Sequence, residues 1–109
     1  MKIIDITSKK NFTLLTHQVS VSKEISGLYA CDLLSFVMSH ARENNVLLTV
    51  VSNFNTLAVA SLLNLSCIIF VSGVIPKQEF IEKAEEEKIA LLTTPLRVEE
   101  AILRIHEKV

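Results

Sequence analysis

The chain has 109 residues, half of them hydrophobic, with 11 basic and 12 acidic side chains and a net charge of −1. That length fits one domain, over 1–109, and the apolar half is enough to build a core. The even charge leaves no basic stripe for a phosphate backbone or an anionic membrane surface, and one Tyr with no Trp gives no base-stacking platform, so neither nucleic acid nor membrane is an expected partner.

Residues 1–25 carry short, mixed signals and are set apart from a core over 26–109. Ile3, Ile4 and Ile6, followed by Lys9 and Lys10, predict a short helix, Phe12 to Thr16 a short strand, and Ser20 to Glu24 a polar link. Met1-Lys2-Ile3-Ile4-Asp5 lacks the long apolar region of a signal peptide.

Gly27 to Cys31 reads as a strand, and Asp32 is placed to cap the helix after it. Leu34, Val37, Met38 and Ala41 then fall at i, i+3, i+4 and i+7, one face of a helix that Asn44-Asn45 would end. Val46 to Val51 is a nearly unbroken aliphatic run, which suits a central strand covered on both faces. A helix from Asn55 or Thr56 through Leu65 is apolar almost all round; such a helix is deeply buried or covered by a partner. This motivates a homodimer.

Cys67 to Val71 predicts another strand, then Ser72-Gly73, and Pro76 suits the first turn of the next helix. Phe80, Ile81 and Ala84 would line that helix's inner face, with Glu79–Lys83 and Lys83–Glu87 pairs on its wet side. Ile89 to Thr93 is the last strand. Thr94 would cap, and Pro95 begin, a helix with Val98, Ala101, Ile102 and Ile105 as its buried stripe.

The repeated strand–helix order predicts a single three-layer α/β domain: a mainly parallel sheet of about four or five strands with helices on both faces. Polar residues punctuate the strand ends, and in open α/β folds ligands bind at that carboxyl edge. The candidate binding residues are therefore Asp32, Ser52, Asn53, Asn55, Ser72, Gly73, Thr93 and Thr94. Each has a plainer role open to it. Asp32, Asn53 and Thr94 could cap helices, and Ser72-Gly73 could form a turn or offer N–H groups to an anion.

Signs of catalysis are absent. The chain has no Gly-x-x-x-x-Gly-Lys-Ser/Thr, no Gly-x-Gly-x-x-Gly and no Gly-x-Ser-x-Gly; Gly27 and Gly73 are its only glycines. His17, His40 and His106 lie far apart, with no partner spaced for a dyad. Cys31 and Cys67 are too few for a disulfide framework and have no Cys or His at metal spacing, so no catalytic residue, metal or cofactor is expected in a reduced, cytoplasmic chain. A phosphotransferase or thiol chemistry at Cys31 is the enzymatic alternative.

The stretch from Ser26 onward resembles the DRTGG domain. The likeness is carried by Gly27-Leu28-Tyr29-Ala30-Cys31-Asp32-Leu33-Leu34-Ser35, by Asn53 to Ala60, by Pro76, Glu79 and Lys83-Ala84, and by Ile89 to Leu96. The chain departs from the pattern at Ser72-Gly73-Val74, where the family usually has Gly-Gly, and the eponymous string is absent. The resemblance implies a small α/β regulatory or assembly module, found alone and beside phosphotransacetylases, pyrophosphatases and the phosphocarrier-protein serine kinase. Two expectations follow: a sensor of a small anionic ligand, with an adenine nucleotide as the candidate class, or a protein-interaction module with no ligand and an unidentified partner.

Overall fold

The aliphatic runs form the buried centre of the sheet, because each residue there has a helical layer to face on its own side. The computed structural model describes residues 1–107. Its elements are α1 (Ile3–Thr7), β1 (Thr13–Leu14), β2 (Gly27–Ala30), α2 (Leu34–His40), β3 (Asn45–Thr49), α3 (Phe54–Leu63), β4 (Cys67–Phe70), α4 (Gln78–Glu86), β5 (Ala90–Thr93) and α5 (Val98–His106). The five-stranded sheet has the order β1-β5-β4-β3-β2. Strands β2 to β5 run parallel, and β1 pairs antiparallel with β5 through Thr13 opposite Thr93 and Leu14 opposite Leu92.

Alternation along the strands divides the core in two. Val46, Leu48, Cys67, Ile69 and Leu92 face Ile3 and Ile6 of α1 and Ala101 and Ile105 of α5. Leu47, Ile68, Phe70 and Leu91 face Val37 of α2, Leu57 and Ala60 of α3, and Phe80 and Ala84 of α4. The expected three-layer α/β architecture is the observed one.

The strand order explains the division of helices. Each crossover from β2 to β5 steps to the next strand in the same direction. Right-handed crossovers taken in one direction put every connecting helix on one face. The other face is left to α5, after the last strand, and to α1, before the first.

The N-terminal segment is therefore part of the fold. Ile3 and Ile6 are buried, β1 extends the sheet, and Leu15 N–H donates to the Leu91 carbonyl at 2.8 Å. Thr16, fully buried, accepts from Leu91 N–H at 3.3 Å.

Several helix ends differ from expectation. Helix α2 stops at His40; Asn44 takes a left-handed φ of 64°, and Asn45 already belongs to β3. Pro76 lies outside α4, whose N-cap is Lys77. Helix α5 starts at Val98, not Pro95, because Thr94 is still held by the sheet: its N–H donates to the Phe70 carbonyl at 2.9 Å. The α5 N-cap is Arg97, whose N–H donates to Glu100 Oε1 at 3.0 Å. On α4, Lys83 pairs with Glu86 and Glu87 at 3.4 and 3.6 Å; among the described residues the Glu79 pair does not form.

Candidate functional site

Helices α2 to α5 each follow a parallel strand, so all four begin at the carboxyl edge of the sheet. Their N-termini bring partial positive charge and unpaired N–H groups to that edge. At α3 the N-cap side chain covers the first turn: Asn53 Oδ1 accepts from Asn55 N–H at 3.0 Å and Thr56 N–H at 3.3 Å; at α5 the Glu100 carboxylate reaches back to Arg97 N–H, and α2 and α4 have no side-chain cap.

Asp32 does not cap α2. The N-cap is Leu33, without a side-chain bond. Asp32 Oδ1 instead accepts from Thr49 Oγ1 at 2.7 Å and from Val50 N–H at 3.0 Å, which braces the end of β2 against the end of β3. Thr49, 1% exposed, also accepts from Val51 N–H at 3.1 Å. Thr49 is the neighbour of Asp32 that sequence reading missed. Its signal was present, as the one hydroxyl in an otherwise aliphatic run. Replacing Asp32 with Ala should orphan that hydroxyl and cost about 1–2 kcal/mol, while Asn, which keeps an acceptor oxygen, should cost much less. Urea melts of the two variants separate these outcomes; equal losses would mean the charge, not the acceptor, holds the brace.

The other candidate residues fall into two groups. Asp32 and Ser72 share a depression of about 240 Å³ with Cys31, Thr49, Val71 and Val98. Ser52 and Asn55 are exposed at the start of α3, outside that depression. Ser72 and Gly73 are both left-handed, with φ of 57° and 78°. Position 72 thus has the conformation that glycine takes without cost, where the DRTGG resemblance expects Gly-Gly. Their N–H groups are engaged: Ser72 donates to the Leu96 carbonyl at 2.7 Å and Gly73 to the Thr94 carbonyl at 2.9 Å. Thr93 Oγ1 donates to the Val74 carbonyl at 2.7 Å, and the buried Thr94 hydroxyl accepts from Leu96 N–H at 3.3 Å. These bonds lace the loop after β4 to the loop after β5. Of the two roles open to Ser72-Gly73, these bonds are those of a turn, and they engage the N–H groups that an anion would use.

The crevice of open α/β folds lies where strand order reverses and adjacent loops diverge. Parallel strands β2 to β5 never reverse, so their loops stay in register and leave a shallow edge. Larger concavities lie elsewhere. A groove of about 900 Å³ runs between α1, α5 and the edge strand β2, floored by Ile25, Leu28, Ile102 and Ile105. A second, of about 490 Å³, lies between α3 and α4.

The thiols are unpaired. Cys31, half-buried, donates to the Leu33 carbonyl at 3.6 Å. Cys67 is fully buried, and desolvation pushes its pKa from 9.0 up to about 12, only partly opposed by the charge of Lys23. A thiol kept neutral contributes stability that is whole below pH 9 and lost as pH climbs toward about 12. Wild type should therefore lose stability relative to Cys67→Ala by about 1.4 kcal/mol per pH unit across that window. A constant difference between their alkaline melts would contradict this. Among the described residues no group of three or more His, Cys, Asp or Glu could hold a metal, and no helix is long and apolar enough to cross a membrane.

No protein-family profile matches the chain, and no curated protein matches it in sequence. Among solved structures it is similar to the CBS and DRTGG domains of the regulatory region of Clostridium perfringens pyrophosphatase, complexed with the activator diadenosine tetraphosphate. The TM-score is 0.67 and the identity 20%, over 94% of this chain and 44% of that one. The chain thus spans less than half of the matched structure. At this identity the likeness shows the fold: the same α/β architecture is found in a pyrophosphatase regulatory region.

Proposed function

We propose that this chain is a DRTGG-type, non-catalytic regulatory module that senses a small anionic ligand at the carboxyl edge of its sheet. The observation that carries the reading is the convergence of four helix N-termini there, those of α2 and α4 without a side-chain cap, beside the depression lined by Asp32 and Ser72. An adenine nucleotide is the candidate ligand class, because a structure of the same fold was determined with a nucleotide activator. In this reading the helix ends attract phosphate, and the exposed carboxylate of Asp32 accepts from a ribose hydroxyl. Ser52, Asn53, Asn55, Gly73, Thr93 and Thr94 complete the rim. The module acts as a homodimer. Two free thiols suit a cytoplasmic setting.

The second reading is an interaction module without a ligand. It is favoured by the hydrogen bonds that already engage Ser72, Gly73, Thr93 and Thr94.

Thermal-shift measurements against nucleotides, diadenosine tetraphosphate and small phosphorylated metabolites separate the two. A ligand at about a hundred times its Kd adds about 2.7 kcal/mol and raises the midpoint by several degrees. The sensor reading expects a selective rise, weakened by Asp32→Asn and by Asn55→Ala, which leave the Thr49 brace and the Asn53 cap in place. A flat response to every compound would leave the interaction module as the reading.

A further inference from the structure

Helix α3 breaks a rule that α4 and α5 obey. Those two turn an apolar stripe to the core and a charged face to solvent, interrupted on α5 by the exposed Leu103. Helix α3, Phe54-Asn55-Thr56-Leu57-Ala58-Val59-Ala60-Ser61-Leu62-Leu63, has no charged side chain. Thr56, Leu57 and Ala60 are its buried side, yet Phe54 is 58% exposed and Leu62 71% exposed on the other. The core does not account for these two residues.

Resting on the homodimer reading above, we propose that the outward face of α3 is where a second copy of this chain docks, the two α3 helices crossing antiparallel on a two-fold axis at Ala58. The spacing is the first argument. Phe54, Ala58 and Leu62 sit at i, i+4 and i+8, one ridge of a helix. That ridge reads large, small, large and is symmetric about Ala58. An isologous contact needs a surface that complements itself. Antiparallel crossing at Ala58 places small against small at the axis, where backbones approach most closely, and Phe54 of each copy against Leu62 of the other.

The neighbouring groove is the second argument. It is walled by Ala58, Ser61 and Leu62 on α3 and by Lys83 and Glu87 on α4, with Leu57 at its floor. Lys83 and Glu87 are paired with each other at 3.6 Å, so its mouth is neutral and a second copy meets no wall of like charge. Phe54 is already steadied by stacking on Phe80 at 6.2 Å, which lowers the entropy lost when it is covered. Helix α3 is the middle of the three helices on its face of the sheet, flanked by α2 and α4.

Sedimentation of the full chain at micromolar concentration, with Ala58→Glu and Leu62→Glu beside it, tests the surface. Both positions are exposed, so neither change disturbs the fold; matching thermal midpoints would verify this. Wild type should sediment as a dimer, and each variant should weaken association about a hundredfold. Leu103→Glu, on the opposite helical layer, should leave the dimer intact. Ala58→Cys should give an intermolecular disulfide on mild oxidation, since the axis brings the residue against its own copy. A wild-type monomer would remove the homodimer reading and this surface together. A wild-type dimer that survives both α3 variants would keep the homodimer and overturn the surface, pointing to the free edge of β2.

Discussion

A chain that begins at Ser26 will fail to fold cooperatively. In sequence residues 1–25 are the least certain segment, because their signals are short and the resemblance to a known domain starts after them. In the structure they close one of the two cores. Ile3, Ile6 and Phe12 are at most 6% exposed, packed with Val46, Leu48, Ile69, Leu92 and Ile105. Losing three such side chains removes roughly 5–8 kcal/mol of apolar burial, a large part of the 5–15 kcal/mol by which a domain is stable. The segment is also bound along its length. Leu15 N–H donates to the Leu91 carbonyl, His17 and Gln18 N–H groups to the Glu85 carboxylate, and Lys23 Nζ to the Leu65 carbonyl. Urea unfolding followed by far-ultraviolet circular dichroism checks the outcome. The truncated chain should show a broad, shallow transition and bind a hydrophobic dye. A sharp transition with native helix content would make the segment an appendage.

Phe70→Ala should cost about 3–5 kcal/mol, at the upper end for a single core substitution. Phe70 is fully buried in the centre of the sheet, on β4, and meets Phe80 edge-on at 5.5 Å. The cost has two parts: the transfer of the ring, and a cavity that β4, pinned between β3 and β5, cannot close. A drop in thermal midpoint of roughly 15–30 °C corresponds to that loss. Phe54→Ala is the informative contrast. Its ring stacks on Phe80 but is more than half exposed, so less than about 1 kcal/mol should be lost from the fold. A loss below about 1 kcal/mol for Phe70→Ala would mean that the helical layer collapses onto the vacancy.

The number and type of the elements were legible in the sequence because they rest on short-range periodicity. Val46 to Val51 and Cys67 to Val71 are nearly unbroken apolar runs, although the strands stop at Thr49 and Phe70, and Phe80, Ala84, Ala101 and Ile105 repeat with a helical period; the strands and helices follow. The all-apolar character of α3 was also legible, since it is composition alone. What the sequence could not show was which groups would meet across strands. Asp32 looked like a cap because an acid before a helix usually is one. Thr49 and the Val50 N–H, seventeen and eighteen residues away, claim its carboxylate instead. Thr94 and Pro95 looked like a helix start, but the sheet holds Thr94 through Phe70, and the helix waits until Val98. The Ser72 and Gly73 N–H groups, which the sequence left open to an anion or a turn, are taken by the Leu96 and Thr94 carbonyls for the same reason.

Strand order made the largest difference. Local pattern predicts that parallel strands form, yet no local signal says in which direction each crossover steps. Because every step from β2 to β5 goes the same way, one face takes α2, α3 and α4, and the opposite face needs α1 and α5. The sequence by itself determined an α/β domain with its polar turns on one edge. Only the tertiary structure decided that this edge is shallow, that residues 1–25 close one of the two cores, and that α3 turns Phe54 and Leu62 outward, because each of these depends on contacts between residues far apart in the chain.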